Sequence, residues 1–247
     1  FFASQGAGRV LWPVIAGVVR VMVIVGGSAV LAGNPGARPA HYFMIIAAGS
    51  IGFAAIAATD ADRYFASYEH AIKNLAKSHA TSPAQGPEDS DGISIKLSAL
   101  FPRYEDAQRE RVFAELLPRV WQLIELAAAA NINLTIDAEE VDRLELSLEV
   151  FDALAVQVAQ QFPQWAGFGL AMQAYQTRAL ELIAHVAALA RRHHIRLMCR
   201  LVKGAYWDAE IKRAQEMGLP AYPVFTHKHH TDVSYLACAR ALLDAPD

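Results

Sequence analysis

The chain has 247 residues, 54% of them hydrophobic and 19% charged, with a formal net charge of −3. This composition supports a sizeable core and excludes a disordered chain. No lysine- or arginine-rich run offers the electrostatic footprint of a nucleic-acid binder, and the two cysteines give neither a disulfide framework nor a four-ligand zinc set, which fits a reducing compartment.

In chain order, the first residue is Phe1 rather than methionine, so the sequence reads as a fragment. Residues 10–58 are small and apolar, with Arg20, Arg38 and His41 as the basic groups and no acidic ones. Leu11 to Ala32, and Tyr42 to Thr59 (uncharged over 18 residues), approach the length of a spanning helix. Glycine and alanine dominate both, and each contributes little to insertion. The preferred reading of residues 1–58 is therefore a buried apolar helix and a doubtful first strand, with any membrane association peripheral; a membrane-inserted hairpin of the two segments is the alternative. Residues 59–247 read as ordinary soluble protein, interrupted by a polar loop from Ser78 to Asp91 with two prolines and a glycine.

After residue 91 two periods alternate. Ile93–Leu97, Ile132–Asp137, Phe168–Gln173 and Ile195–Val202 are strand-like. Helical spacing runs from Tyr104 to Ala130 through Val112, Leu116, Val120 and Leu123, and from Val141 to Val158 through Leu144, Leu148, Phe151 and Leu154. It returns from Thr177 to His193 with Leu180, Ile183 and Ala187, and from Thr231 to Leu243 with Val233, Leu236 and Leu243. Strand followed by helix, repeated, predicts parallel strands and an α/β fold. A dinucleotide-binding open sheet is disfavoured, because Gly167-Phe-Gly169-Leu-Ala-Met172 lacks the third glycine of that fingerprint and reads as strand.

Strand parity places Lys96, Asp137, Gln173 and Arg200 opposite the aliphatic faces. Four polar groups in register suit the mouth of a barrel site, where catalytic residues lie at strand carboxyl ends; a buried ion-pair layer, in which Lys96–Asp137 and Arg200 merely satisfy one another, is the alternative. His227, His229 and His230, with Lys228, read as a loop cluster with no acidic partner at ligand spacing, so no metal is expected. Glu139 and Glu140 suit the approach to a helix N-terminus, and Asp142, Arg143 and Glu145 a solvated face. Tyr206 and Trp207 suit either a planar ligand or a plug at a barrel end.

At these strands the sequence resembles the proline dehydrogenase domains of the proline utilization A family of bifunctional bacterial flavoenzymes. The matching strings are Ile93-Ser-Ile-Lys-Leu-Ser-Ala-Leu100 with Pro102-Arg-Tyr104, Ile136-Asp-Ala-Glu-Glu140 with Asp142-Arg-Leu-Glu145, and Gln173-Ala-Tyr-Gln176 with Arg178. Arg200-Leu-Val-Lys-Gly-Ala-Tyr-Trp-Asp208 continues into Glu210-Ile-Lys-Arg-Ala-Gln215, and Thr231-Asp-Val-Ser-Tyr-Leu-Ala-Cys-Ala239 closes the match. Pro13 to Gly33 is similar, more weakly, to the helix before the family's barrel.

The resemblance implies a (βα)8 TIM-type barrel truncated at its C-terminus, FAD at the barrel's carboxyl end, and oxidation of L-proline to Δ1-pyrroline-5-carboxylate. Hydride would pass to flavin N5 and electrons to membrane quinone, from a cytoplasmic protein peripheral at the inner membrane. By position, Lys96 would hold the proline carboxylate, Asp137 would lie beside it and the flavin, and Tyr206 would shape the proline pocket. Gln173 and Arg200 would hydrogen-bond the flavin ring, and Lys203, Gly204, Ala205 and Trp207 would line the cofactor. Thr226, Lys228 and Thr231 would reach its phosphate and adenosine end. Departures are Ile51 and Ala55 in place of acidic residues of the family's first strand, Phe101 for a histidine and Phe225 for a tyrosine. The chain also ends at Asp247, before the last three strands and an arginine pair that grips the substrate carboxylate. A reading of another class is an inactive membrane-anchored or scaffold protein with a degenerate barrel; flavin binding separates the two.

Overall fold

The computed structural model describes residues 11–34, 36–81 and 86–245. They form two compact units: residues 1–67 with 98–103, and residues 68–97 with 104–247.

The first unit is built on helices α1 (Leu11–Ala32) and α2 (Pro39–Thr81), the latter belonging to this unit as far as Ser67. Pro39 opens α2, where its missing N–H costs no helical bond and its fixed φ suits the first turn. Two expectations are corrected here. Residues 49–57, the doubtful first strand, are helical: they lie inside α2, in an alanine-rich run that favours helix over sheet. The apolar segment is also exposed rather than buried, with Val30 at 78%, Phe43 at 71% and Ile51 at 69% exposure. Among the described residues Pro39–Ala80 is long and apolar enough to cross a membrane, by length and composition.

The second unit is a parallel sheet with helical connections. Strands β1 (Ile93–Ile95), β2 (Leu134–Ile136), β3 (Phe168–Gln173) and β4 (Met198–Val202) lie side by side in chain order. Between them run α3 (Leu117–Ala129), α4 (Leu144–Gln161) and α5 (Ala179–His193), and α6 (Trp207–Glu216) and α7 (Lys228–Leu243) follow β4. The sheet is open among the described residues, with β1 and β4 each paired on one side; the sequence led to a barrel cut short at its C-terminus. Three strands are shorter than their apolar runs because pairing sets their ends. Leu97 already begins a helical turn, and β4 starts at Met198, where β3 first offers it a partner in Gly169.

The core lies between sheet and helices. Val112, Leu116, Val120 and Leu123 are all fully buried, as their spacing predicts, and Phe151 stacks on Phe168 at 4.8 Å. Val112–Leu116 forms a π-helical turn before Pro118, whose lack of an N–H breaks the regular ladder. Other faces match in part: Phe151, Leu154 and Ile183 are buried as their spacing predicts, and their neighbours differ. α4 buries Leu146 and Val150 rather than Leu144 and Leu148, and Leu180 of α5 is 49% exposed beside buried Leu182 and Val186. α7 packs on α5 and β4 with Thr231 and Cys238 buried, which leaves Val233, Leu236 and Leu243 outside. Small residues let α7 approach, and the large ones turn away.

Candidate active site at the carboxyl ends of the strands

The sheet register orders the polar residues. Ile95 pairs with Ile136, so Lys96 and Asp137 leave their strands at the same level. Ile136 pairs with Leu170 and Ala171 with Arg200, while Gln173 pairs with Val202 two residues further on. Lys96, Asp137 and Arg200 thus share a layer, and Gln173 stands above it, not beside them.

Within this layer Asp137 takes Arg200 as its partner, as the ion-pair alternative allowed, and not Lys96. Arg200 forms an ion pair with Asp137 and donates to Ser94 Oγ at 2.7 Å, spanning the sheet from β4 to β1. Lys96, half-buried, joins no ion pair with a carboxylate among the described residues, while its backbone N–H donates to the Tyr68 hydroxyl at 3.2 Å. A half-buried ammonium without a fixed counter-charge favours an anionic ligand.

Gln173 is 1% exposed and ties two loops together. Its Nε2 donates to the Glu139 carbonyl at 2.9 Å, and its Oε1 accepts from the Ala205 N–H at 3.0 Å. The loop after β2 gains a second hold from Glu210, buried on α6, whose carboxylate accepts the Val141 N–H at 2.7 Å. Burial raises the Glu210 pKa, and the Val141 bond opposes the rise. Arg143 is not solvated as expected: it is half-buried and bridges Glu139 at 2.6 Å and Glu140 at 3.1 Å. Tyr206, half-buried above this acidic loop, is pushed up to about 12 by burial and then by Glu140, Glu139 and Asp137, so it is a neutral hydroxyl at neutral pH.

The loop after β4 forms the wall of a cavity. Tyr175 N–H donates to the Lys203 carbonyl at 2.7 Å, and Phe225 N–H donates to the Tyr175 carbonyl at 2.8 Å, fixing three chain segments side by side. Gly204 has φ +143°, and a Cβ there would run into the Tyr175 ring, so only glycine permits the approach. Trp207, 42% exposed, is oriented by a 2.8 Å bond from its Nε1 to the Phe225 carbonyl. The cavity, about 410 Å³, is lined by Tyr175, Lys203, Gly204, Trp207, Thr226, His227, Lys228 and Thr231.

Six of these eight residues are ones the resemblance assigns to the cofactor. The other two, Tyr175 and His227, were not assigned by sequence, nor was Asp232 beside the cavity. Asp232 pairs with Lys203 at 2.5 Å and Lys228 at 2.7 Å, and these two ammonium groups hold its carboxyl down to about 2. Its position four residues after Lys228, on one helix face, was a legible signal; its bond to Lys203 was not. The histidine cluster is helical rather than a loop: His227 stands at the N-cap position of α7, without a side-chain capping bond, and the rings of His229 and His230 stand 4.3 Å apart in its first turn. With two lysines, the α7 N-terminus, threonine hydroxyls and an oriented indole, the cavity suits a ligand carrying phosphate and a flat ring.

The family model described as proline dehydrogenase matches residues 38–247. The bifunctional protein PutA of Salmonella typhimurium is 51% identical over 197 residues, 80% of this chain and 14% of that protein. Its counterpart in Rhizobium meliloti is 52% identical over 184 residues, 74% of this chain and 14% of the relative. A crystal structure of a point mutant of Bradyrhizobium japonicum proline utilization A superposes with a TM-score of 0.72 at 52% identity, covering 76% of this chain and 19% of that one.

Proposed function

The chain belongs to the proline dehydrogenase family, and we propose that it carries part of the active site in which a longer protein oxidises L-proline to Δ1-pyrroline-5-carboxylate. The four-stranded sheet is one arc of a (βα)8 barrel in this reading, with its site at the carboxyl ends of the strands. The observation that carries it is the cavity of about 410 Å³ where Lys203, Gly204, Trp207, Thr226, Lys228 and Thr231 converge just beyond the Arg200–Asp137 pair.

FAD fits this donor set, and when bound it supplies a two-electron acceptor for hydride from the proline ring, with membrane quinone as the later oxidant. Lys203, Lys228 and the first turn of α7 hold its diphosphate, and Thr226 and Thr231 hydrogen-bond toward its adenosine end. Gly204 and Ala205 present backbone to it, and Trp207 packs on its rings. Arg200, held by Asp137, offers a cation to the ring system, where negative charge is favoured. Gln173 keeps the flanking loops in place. Lys96 binds the proline carboxylate, and Tyr206 closes the pocket as a neutral hydroxyl. The protein acts in the cytoplasm, at the face of the membrane that holds the quinone.

The test is a flavin spectrum of the purified full-length protein. It should show bound FAD that bleaches on anaerobic addition of L-proline. A colourless protein would favour the inactive scaffold, and a flavoprotein indifferent to proline would reject the substrate.

A further inference from the structure

We infer that α1 and the first half of α2 form a hairpin that spans a lipid bilayer. The inference rests on residues 11–59 and is independent of the reaction proposed above. The hairpin's first arm, α1, lies outside the family match, which begins at residue 38, and its second arm, in α2, lies within it.

The two helices pack antiparallel through small residues. A Cβ on Gly27 would meet the Ile45 side chain at 3.0 Å, and one on Gly49 would meet Ile24 at 3.1 Å and the Arg20 carbonyl at 3.4 Å. Further along the same seam the Arg20 guanidinium lies 5.8 Å from the Phe53 ring centroid. The pairs step in opposite directions along the two helices, as an antiparallel hairpin requires. Close contact at glycine is how helices associate where the surroundings are as apolar as their own side chains.

The seam covers only one stripe of each helix. Gly17, Ile24, Gly27 and Leu31 are half-buried on α1, and Ile45, Gly49, Gly52 and Ile56 are half-buried or buried on α2. Arg20 apart, the other directions are apolar and exposed. Val18, Val19, Val21, Met22, Val23 and Val25, nearly consecutive and therefore on all remaining sides, are 37–68% exposed. On α2, Phe43, Met44, Ile46, Ile51 and Phe53 are exposed likewise. A helix covered by a protein partner shows an apolar stripe and a polar back; one apolar all round is surrounded by core or by lipid. A second copy of the chain could cover one side of this hairpin but not the rest.

The dimensions match a bilayer. The stretch from Pro39 to Thr59, free of Asp, Glu, Lys and Arg, rises about 31 Å against a hydrocarbon core of about 30 Å; α1 is 22 residues long, about 33 Å, and its apolar run among the described residues, Gly17–Ala32, is shorter. Polar groups bound both ends: Asn34 and Arg38 in the turn, and Asp60, Asp62 and Arg63 where the apolar stretch of α2 stops. Arg20, the single charge between, is exposed, with its guanidinium 5.8 Å from the Phe53 ring centroid.

Two measurements on the full-length protein carrying Gly36→Cys test this. Membranes washed with alkaline carbonate should retain it. In intact spheroplasts a membrane-impermeant maleimide should label either the thiol introduced in the turn or the exposed native Cys199, but not both. After lysis it should label both, with sites read by mass spectrometry. Release by carbonate, or a soluble oligomer in which the apolar faces meet, would overturn the inference. So would retention with both thiols labelled, or neither, before lysis.

Discussion

Lys96 and Arg200 share a layer of the sheet but differ in their surroundings. Arg200 is neutralised by Asp137, whereas Lys96 joins no ion pair with a carboxylate among the described residues. Replacing Lys96 with Met in the full-length protein should leave FAD bound and weaken proline binding by about 10- to 100-fold, the worth of one charge-assisted hydrogen bond. An unchanged KM for proline would remove Lys96 from the substrate site. Asp232 gives a prediction with a definite sign. Its carboxyl is lowered from 3.8 to about 2 by Lys203 and Lys228. A depressed carboxylate stabilises the fold above its unfolded pKa and loses that contribution as pH falls through the folded value. Asp232→Asn should therefore flatten the loss of stability between about pH 4 and pH 2, seen as a shallower acid limb in unfolding titrations. An unaltered limb would show that the two lysines leave it without energetic consequence, as surface pairs often are.

Among the elements, the loop from β4 into α6 has the least freedom. Gly204 sits at a φ that side-chain-bearing residues rarely adopt and lies against the face of Tyr175. Gly204→Ala should cost on the order of 1–3 kcal/mol from backbone strain alone, with the tyrosine displaced in addition. Thermal unfolding of the variant should shift down, and FAD should be lost on gel filtration where the parent retains it. A variant that keeps both its melting temperature and its flavin would mean that the loop relaxes without cost. The loop after β2 is held more redundantly, by Gln173, Glu210 and the Arg143 bridges.

At the scale of the molecule, apolar surface is left open in both units. Val233, Leu236 and Leu243 project from α7 at 67%, 70% and 86% exposure, and the hairpin helices are apolar on most of their circumference. Exposed patches of this kind drive association, and β1 and β4 each present an edge unpaired among the described residues. Arg200, 47% exposed by side chain, is open to water that would weaken its hold on any charge. Residues 1–247 produced alone should therefore be poorly soluble without detergent, retain little FAD and reduce no dye with proline. A soluble yellow preparation that bleaches with proline would refute this.

The parallel α/β pattern and the buried row from Val112 to Leu123 were legible in the sequence because periodicity is a local property, written within one segment. Lys203, Gly204, Trp207, Thr226, Lys228 and Thr231, which the structure brings together around the cavity, were singled out through the family resemblance and not by periodicity. What depends on distant segments was not legible. Only the register of β1, β2 and β4 decides that Asp137 meets Arg200 rather than Lys96, and only the packing of α7 brings Asp232 to Lys203. The exposure of α1 and α2 was likewise undetermined, since an apolar run has the same composition whether protein or lipid surrounds it. Hydrophobicity names the environment a segment prefers; three-dimensional packing decides whether the protein itself provides it.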